Sequence, residues 1–160
     1  MWYYKSVMKA ETPKADLVEE TREVIERSAL VAEGERVLVA VSGGADSSAL
    51  LSILYKLSGQ LGFELVIGHF DHHLRDTSNV DRRHVEVAAA GLGLPFHAGD
   101  GDVHARADEY GETIEEAARK LRYQFLFELA ETVRADRIAT GHTRDDQVET
   151  VLMRILRGTG

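Results

Sequence analysis

A five-residue apolar run, Val37-Leu38-Val39-Ala40-Val41, passes directly into Ser42-Gly43-Gly44-Ala45-Asp46-Ser47-Ser48, and this junction constrains the fold more than any other stretch. The run is short, mostly β-branched or small, and has no period, which predicts a fully buried strand. Beyond it, Ala49, Leu50, Leu51, Ile53, Leu54 and Leu57 recur at helical spacing. The loop therefore joins a strand end to a helix start. Paired glycines let the backbone turn tightly and bring N–H groups close to a ligand. Ser42 offers a hydroxyl in the N-cap region, and a helix N-terminus with free N–H groups attracts phosphate. No Gly-Lys-Ser/Thr ending and no Gly-x-Gly-x-x-Gly is present, so neither the Walker-type loop nor the dinucleotide fingerprint applies. A glycine turn leading into a capped helix, with no ligand at all, explains the same residues.

The rest of the chain repeats the alternation. Residues 1–13 have no period and end at Pro13, which predicts a loosely ordered arm ahead of one domain over 14–160. An amphipathic helix is expected from Asp16 to about Leu30, carried by Leu17, Val24, Ile25 and Ala29, with Gly34 as its stop. Strands are expected at Arg36–Val41, Glu64–Phe70, Leu94–His97 and Arg137–Thr140, with Pro95 placed where a strand edge tolerates it. Helices are expected over Asn79–Leu92, Glu112–Val133 and Arg144–Leu156; on the second, Ile114, Ala118, Leu121, Phe125 and Leu129 share a face. Such alternation predicts an α/β fold, a parallel sheet with helices on both sides, doubly wound. Ligands of such sheets bind beyond the C-terminal strand ends. Four segments fall there: the Ser42 loop, His69–Arg75, the turn after His97, and Gly141–Asp146.

Length and charge narrow the function. A chain of 160 residues supplies one core. No apolar run approaches the roughly 18 residues of a membrane span. Met1-Trp2-Tyr3-Tyr4-Lys5 lacks the apolar core of a signal peptide, and the expected location is cytoplasmic. With 0 cysteines there is no thiolate metal site and no sulfur relay. A net charge of −8 means that any RNA contact is local or supplied from outside these residues.

Three further constellations carry polar chemistry. His69-Phe70-Asp71-His72-His73-Leu74-Arg75 leaves a strand end; its spacing fits no standard zinc signature, and a plain polar turn is the simpler reading. Arg119 and Arg122 lie three apart on one helix face, where they suit phosphate or carboxylate, or else pair with Glu115 and Glu116 as a solvated flank. Gly141-His142-Thr143-Arg144-Asp145-Asp146-Gln147-Val148-Glu149 begins like a capping box, yet Glu149 one turn on clusters with the aspartates, a set able to hold Mg²⁺ or a substrate amine.

Taken in order from Val37 onward, these blocks resemble the N-terminal domain of the tRNA(Ile)-lysidine synthase family, within the PP-loop ATP pyrophosphatases. The carrying residues are V-A-V-S-G-G-A-D-S-S at the loop and His69–Arg75 against the family's H-x-N-H-x-L-R. Ser78 and Asp81, Leu92–Pro95, Glu115–Tyr123, Thr140–Thr150 and Arg157–Gly160 follow. The resemblance implies ATP-dependent ligation of L-lysine to C2 of the wobble cytidine of tRNA(Ile) with a CAU anticodon, through an adenylated base. It implies pyrophosphate binding by Ser42, Gly43, Gly44, Ala45, Asp46 and Ser47, and nucleotide or base contacts by His69, His72, Arg75, Arg119 and Arg122. It also implies catalytic or lysine-binding roles for His142, Asp146 and Glu149, and Mg²⁺ at Asp46 and Asp146. Asp71 replaces the family's asparagine, which leaves that position's role open. Family members continue into further domains that grip the tRNA, so the expected state is a catalytic fragment that self-associates through Leu152, Ile155 and Leu156. Two other readings stay open: a tRNA 2-thiolation protein, whose relatives carry cysteines, and an isolated ATP-binding module without turnover.

Overall fold

Short runs rich in Val, Ile and Leu form the strands, and the amphipathic stretches between them form the crossovers. The computed structural model describes residues 15–73, 78–141 and 153–154. Strands β1 (Arg36–Ala40), β2 (Glu64–Asp71), β3 (Phe96–Asp100) and β4 (Arg137–Thr140) are parallel, and β5 (Met153–Arg154) runs antiparallel beside β4. Helices α1 (Ala15–Arg27), α2 (Ala45–Leu61), α3 (Ser78–Leu92), α4 (Val103–Tyr110) and α5 (Ile114–Val133) complete the described elements. The sheet order is β3-β2-β1-β4-β5. The chain thus steps outward from β1 through β2 to β3, then returns to the opposite side of β1. The order reverses between β1 and β4, and a crevice forms at such a reversal.

Period-two alternation divides the core. Val37 and Val39 of β1 face α1, α2 and α3, where Ile25, Leu51, Leu54, Leu57, Val85 and Ala89 pack with Leu65 and Ile67 of β2. Leu38 and Val66 point the other way, onto Leu126, Leu129 and Ala130 of α5. Helices therefore cover both faces, as the alternation predicts. A third, smaller cluster joins α4 to α5 through Val103, Ala107 and Ala117. Among the described residues no helix is long and apolar enough to cross a membrane.

The structure departs from the sequence reading in particular places. Helix α1 ends at Arg27 rather than Leu30, because Ala29 takes a φ of 45° and Leu30 turns back to the Ile25 carbonyl at 3.0 Å. Its buried residue is Ile25; Leu17 and Val24 are exposed. Helix α5 starts at Ile114, where Thr113 and Glu116 form a capping box. Its buried positions are Ala117, Leu126, Leu129 and Ala130, while Ile114 is exposed. The face turns because the first half of α5 packs on α4 and the second half on the sheet. Helix α4 has no counterpart in the sequence reading, although Asp102 caps it by accepting from the Ala105 N–H at 2.9 Å and Gly111 ends it at φ 66°. Of the helix expected over Arg144–Leu156, residues 153–154 are extended instead, paired with Ile138 and Arg137. There β4 offers an open edge whose backbone groups need partners. The rest of that segment, with Leu152, Ile155 and Leu156, lies outside the described residues, as does the arm over 1–13.

Strand β3 also runs beyond His97, to Asp100, with Ala98, Gly99 and Asp100 in register with His69, Phe70 and Asp71. Gly99 is required by packing: a Cβ there would sit 2.4 Å from Cδ2 of Phe125. Gly99→Ala is therefore expected to cost about 1–3 kcal/mol. A thermal melt checks this, and a transition lowered by several degrees is the expected result.

Candidate active site

The loop that follows β1 is held on both sides of its first residue. The Val41 N–H donates to the Gly68 carbonyl at 2.9 Å, and the Val41 carbonyl accepts from His69 Nδ1 at 2.8 Å. His69 is buried. It ties the loop to β2 and lies outside the cavity lining described below.

Gly43 takes a φ of 90°, a region other residues enter only at a cost of about 1–3 kcal/mol. A Cβ on it would approach the Asp81 Cβ of α3 to 3.3 Å. Gly44, not Ser42, is the N-cap of α2, and no side chain caps it. The Ser42 hydroxyl instead accepts from the Gly44 N–H at 3.3 Å and lies 3.1 Å from Ser47 Oγ, which donates to the Gly44 carbonyl at 3.0 Å. Ser48 makes the first helical bond, N–H to the Gly44 carbonyl at 3.1 Å. The amides of Ala45, Asp46 and Ser47 precede it, so α2 presents its first-turn donors at the loop. Gly141, just past β4, lets this turn come close: a Cβ there would lie 3.2 Å from Ser47 Cα and 3.3 Å from the Asp46 carbonyl carbon and oxygen.

A cavity of about 210 Å³ occupies the reversal between β1 and β4. Ala40, Val41, Gly68, Phe70, Thr140 and Gly141 form its floor at the strand ends. Ser42, Asp46 and Ser47 bring the loop to it, and His72, Arg122 and Leu126 also line it. The first turn of α2 and a guanidinium thus border one space. Arg119 does not share it. That side chain is exposed, with its guanidinium 5.8 Å from the Tyr123 ring centre, while Arg122 both reaches the cavity and stands 5.5 Å from the same ring. Glu116, a partner considered for these arginines, is engaged by the Thr113 backbone at 3.0 Å.

Burial pushes the His72 pKa below the ordinary imidazole value, the Arg122 charge pushes it further, and Asp71 opposes both. His72 is accordingly neutral at pH 7. Its Nδ1 is buried and finds no hydrogen-bond partner among the described residues, and neither does Thr140 Oγ1. A buried polar atom without a partner carries its full desolvation cost, and both of these belong to cavity residues. Sequence reasoning missed Thr140 as a site residue. Its signal was a hydroxyl at the last position of a strand, next to the reversal. Because the folded His72 resists protonation, the unfolded chain binds the proton more readily. Stability is then full above the unfolded pKa and falls as pH drops toward the folded one. Denaturant melts from about pH 7.5 to about pH 5, roughly the imidazole range, are expected to show a smaller acid loss in His72→Gln than in the parent chain.

Asp71 acquires a role. Its Oδ1 accepts the His73 N–H at 2.8 Å, fixing a turn in which His73 takes a φ of 50°. The His73 ring lies 3.6 Å from Asp71 and 3.4 Å from Asp100. An acceptor is what this turn needs, and aspartate supplies it as asparagine does. Arg75, His142, Asp146 and Glu149 lie outside the described residues. Among the described residues no group of three or more metal-ligating side chains is present.

Comparison with known proteins bears on the whole arrangement. A family model described as the PP-loop domain matches residues 13–160. The chain is 41% identical over 145 residues to the tRNA(Ile)-lysidine synthase of Dehalococcoides mccartyi, covering 90% of this chain and 31% of that protein. It is 43% identical over 139 residues to the tRNA(Ile)-lysidine synthase of Chlorobaculum tepidum, covering 86% of this chain and 42% of that one. The chain spans between 30% and 42% of the length of the curated relatives it matches. In fold it is similar to the U34-tRNA thiolase NcsA from Methanococcus maripaludis, with a TM-score of 0.66 at 19% identity over 83% of this chain and 48% of that one. It is similar also to the NH3-dependent NAD synthetase from Campylobacter jejuni, with a TM-score of 0.55 at 14% identity over 91% of this chain and 59% of that one.

Proposed function

We propose a function from the premise that the chain belongs to the PP-loop domain family: it is the ATP-using part of an enzyme that joins lysine to the wobble cytidine of tRNA(Ile) with a CAU anticodon. The reading rests on one observation, the shared cavity of the Ser42–Ser47 loop and Arg122, in a chain whose curated relatives are named for this reaction.

The chemistry has two displacements. The C2 oxygen of cytidine attacks the α-phosphate, the bond to the β-phosphate breaks, and pyrophosphate leaves. The lysine ε-amine then attacks C2, the C2–O bond breaks, AMP leaves, and the amine gives up its proton. Amides of the first α2 turn would neutralise the departing pyrophosphate. Arg122 would meet charge developing on the α-phosphate, with the fork geometry that suits phosphate oxygens. Neutral His72 and the Thr140 hydroxyl would pair with the polar edge of the base or the nucleotide. Lysine would be held by Asp146 and Glu149.

Asp46 fits Mg²⁺ in one respect: it brings an exposed carboxylate to the cavity beside the phosphate donors. Magnesium is commonly held by one or two carboxylates together with substrate phosphates. Bound there, the ion would screen phosphate charge, and Asp146 would be its second ligand. Substrate and setting imply a cytoplasmic enzyme. The 2-thiolation reading lacks its chemistry here, since these residues hold 0 cysteines.

Pyrophosphate and AMP release tests the proposal, with ATP, Mg²⁺, lysine and the tRNA supplied together or singly withheld. Pyrophosphate release that needs the tRNA, with AMP release that also needs lysine, is expected. ATP binding with no release under any combination would reduce the chain to a binding module.

A further inference from the structure

One surface of α5 is left unexplained by the cavity. Phe127 is a large exposed aromatic, at 41% exposure, one turn beyond Tyr123. The two rings are stacked, 6.3 Å between centres at 30°. Tyr123 also has two guanidinia near its ring, Arg119 at 5.8 Å and Arg122 at 5.5 Å. The order along the helix is therefore cation, ring, ring; of the two cations Arg122 lines the cavity and Arg119 does not.

The chemistry of the surface selects its occupant. Flat rings stack on any nucleobase, and guanidinia take phosphate oxygens or stack on bases in turn. Sequence-specific RNA recognition mostly uses unpaired bases splayed onto aromatic and arginine planes. The chain as a whole carries a charge of −8, so a local concentration of arginine and aromatic side chains beside the cavity stands out against its surroundings. Glu131 lies one turn past Phe127 and Glu115 one turn before Arg119, so the cations and rings stand between two acidic ends.

We propose that Tyr123 and Phe127, with Arg119, form a stacking platform for an unpaired RNA base next to the one that enters the cavity. This rests on the proposed RNA substrate and adds to it a specific surface. The base in the cavity is held by polar contacts. Its neighbour is held by stacking, which tolerates any base.

The test uses a short RNA stem-loop whose loop presents a cytidine flanked by 2-aminopurine, at low salt. Stacking on the platform is expected to quench the 2-aminopurine. Phe127→Ala is expected to abolish that quench and to raise the dissociation constant at least about fivefold, while Phe127→Trp restores both. Thermal melts show whether each variant folds. Tyr123→Phe, which keeps the ring, is expected to bind as the parent does. Unchanged quench and affinity in a folded Phe127→Ala would overturn the platform and leave the ligase reading intact. Altered light scattering in that variant, with RNA affinity unchanged, would assign the face to another protein surface and likewise overturn it. No stem-loop binding by the parent chain, together with no tRNA-dependent pyrophosphate release, would remove the ligase reading itself and the platform with it.

Discussion

Arg122→Ala is expected to slow tRNA-dependent pyrophosphate release by about two to three orders of magnitude, the loss seen when one preorganised donor to a developing charge is removed. Arg122 lines the cavity opposite no other described cation, and its guanidinium is steadied against Tyr123. Arg122→Lys is expected to recover only part of the rate, because an ammonium cannot make the same two-pronged contact. A second readout separates a catalytic role from a packing one. Arg122 is among the causes that lower the His72 pKa, after burial. In Arg122→Ala the His72 titration, followed by NMR, is expected to move up toward the ordinary imidazole value without reaching it, since burial remains. A variant that keeps its rate and leaves His72 unmoved would take Arg122 out of the site.

Gly141→Ala is expected to be almost as damaging, by another route. The added methyl would meet backbone, Ser47 Cα at 3.2 Å and the Asp46 carbonyl at 3.3 Å, and backbone in a helix's first turn does not swing aside as a side chain does. Relief requires α2 to retreat from β4 by a few tenths of an ångström. The overpacking costs about 1–3 kcal/mol. The retreat also moves the phosphate donors off their line, for which a loss of roughly tenfold or more in turnover is expected. Melting temperature and pyrophosphate release, measured on one preparation, check the two parts. Full activity in a folded Gly141→Ala chain would show that the loop does not depend on this approach.

The elements easiest to read were those whose local chemistry and burial agree. Val37–Val41, the glycine loop and the helix after it were legible because an apolar run, a turn and a helical period succeed one another without conflict. Ala98-Gly99-Asp100-Gly101 was harder. Its glycines look like turn residues, yet Gly99 sits inside a strand because Phe125 occupies the space a side chain would need. That requirement comes from a residue 26 positions away and leaves no local trace. Missing the end of β3 also hid α4, whose cap at Asp102 and stop at Gly111 are ordinary signals in hindsight. In the site, residue types were legible and directions were not. Arg119 and Arg122 share a face by spacing, but only Arg122 reaches the cavity; one turn of α5 separates a wall from open solvent. His69 and His72 differ in the same way, one spent on the Val41 carbonyl and the other on the cavity. Thr140 was not singled out as a site residue because a threonine ending a strand looks like any β-former until its neighbours are known.

Both backbone groups of Val41 are claimed by β2, the N–H by Gly68 and the carbonyl by His69. The first residue of the proposed cradle is therefore fixed by the fold itself, and little chain entropy would be lost at that point on binding a nucleotide. What distinguishes one nucleotide from another at such a cradle is the time each one stays.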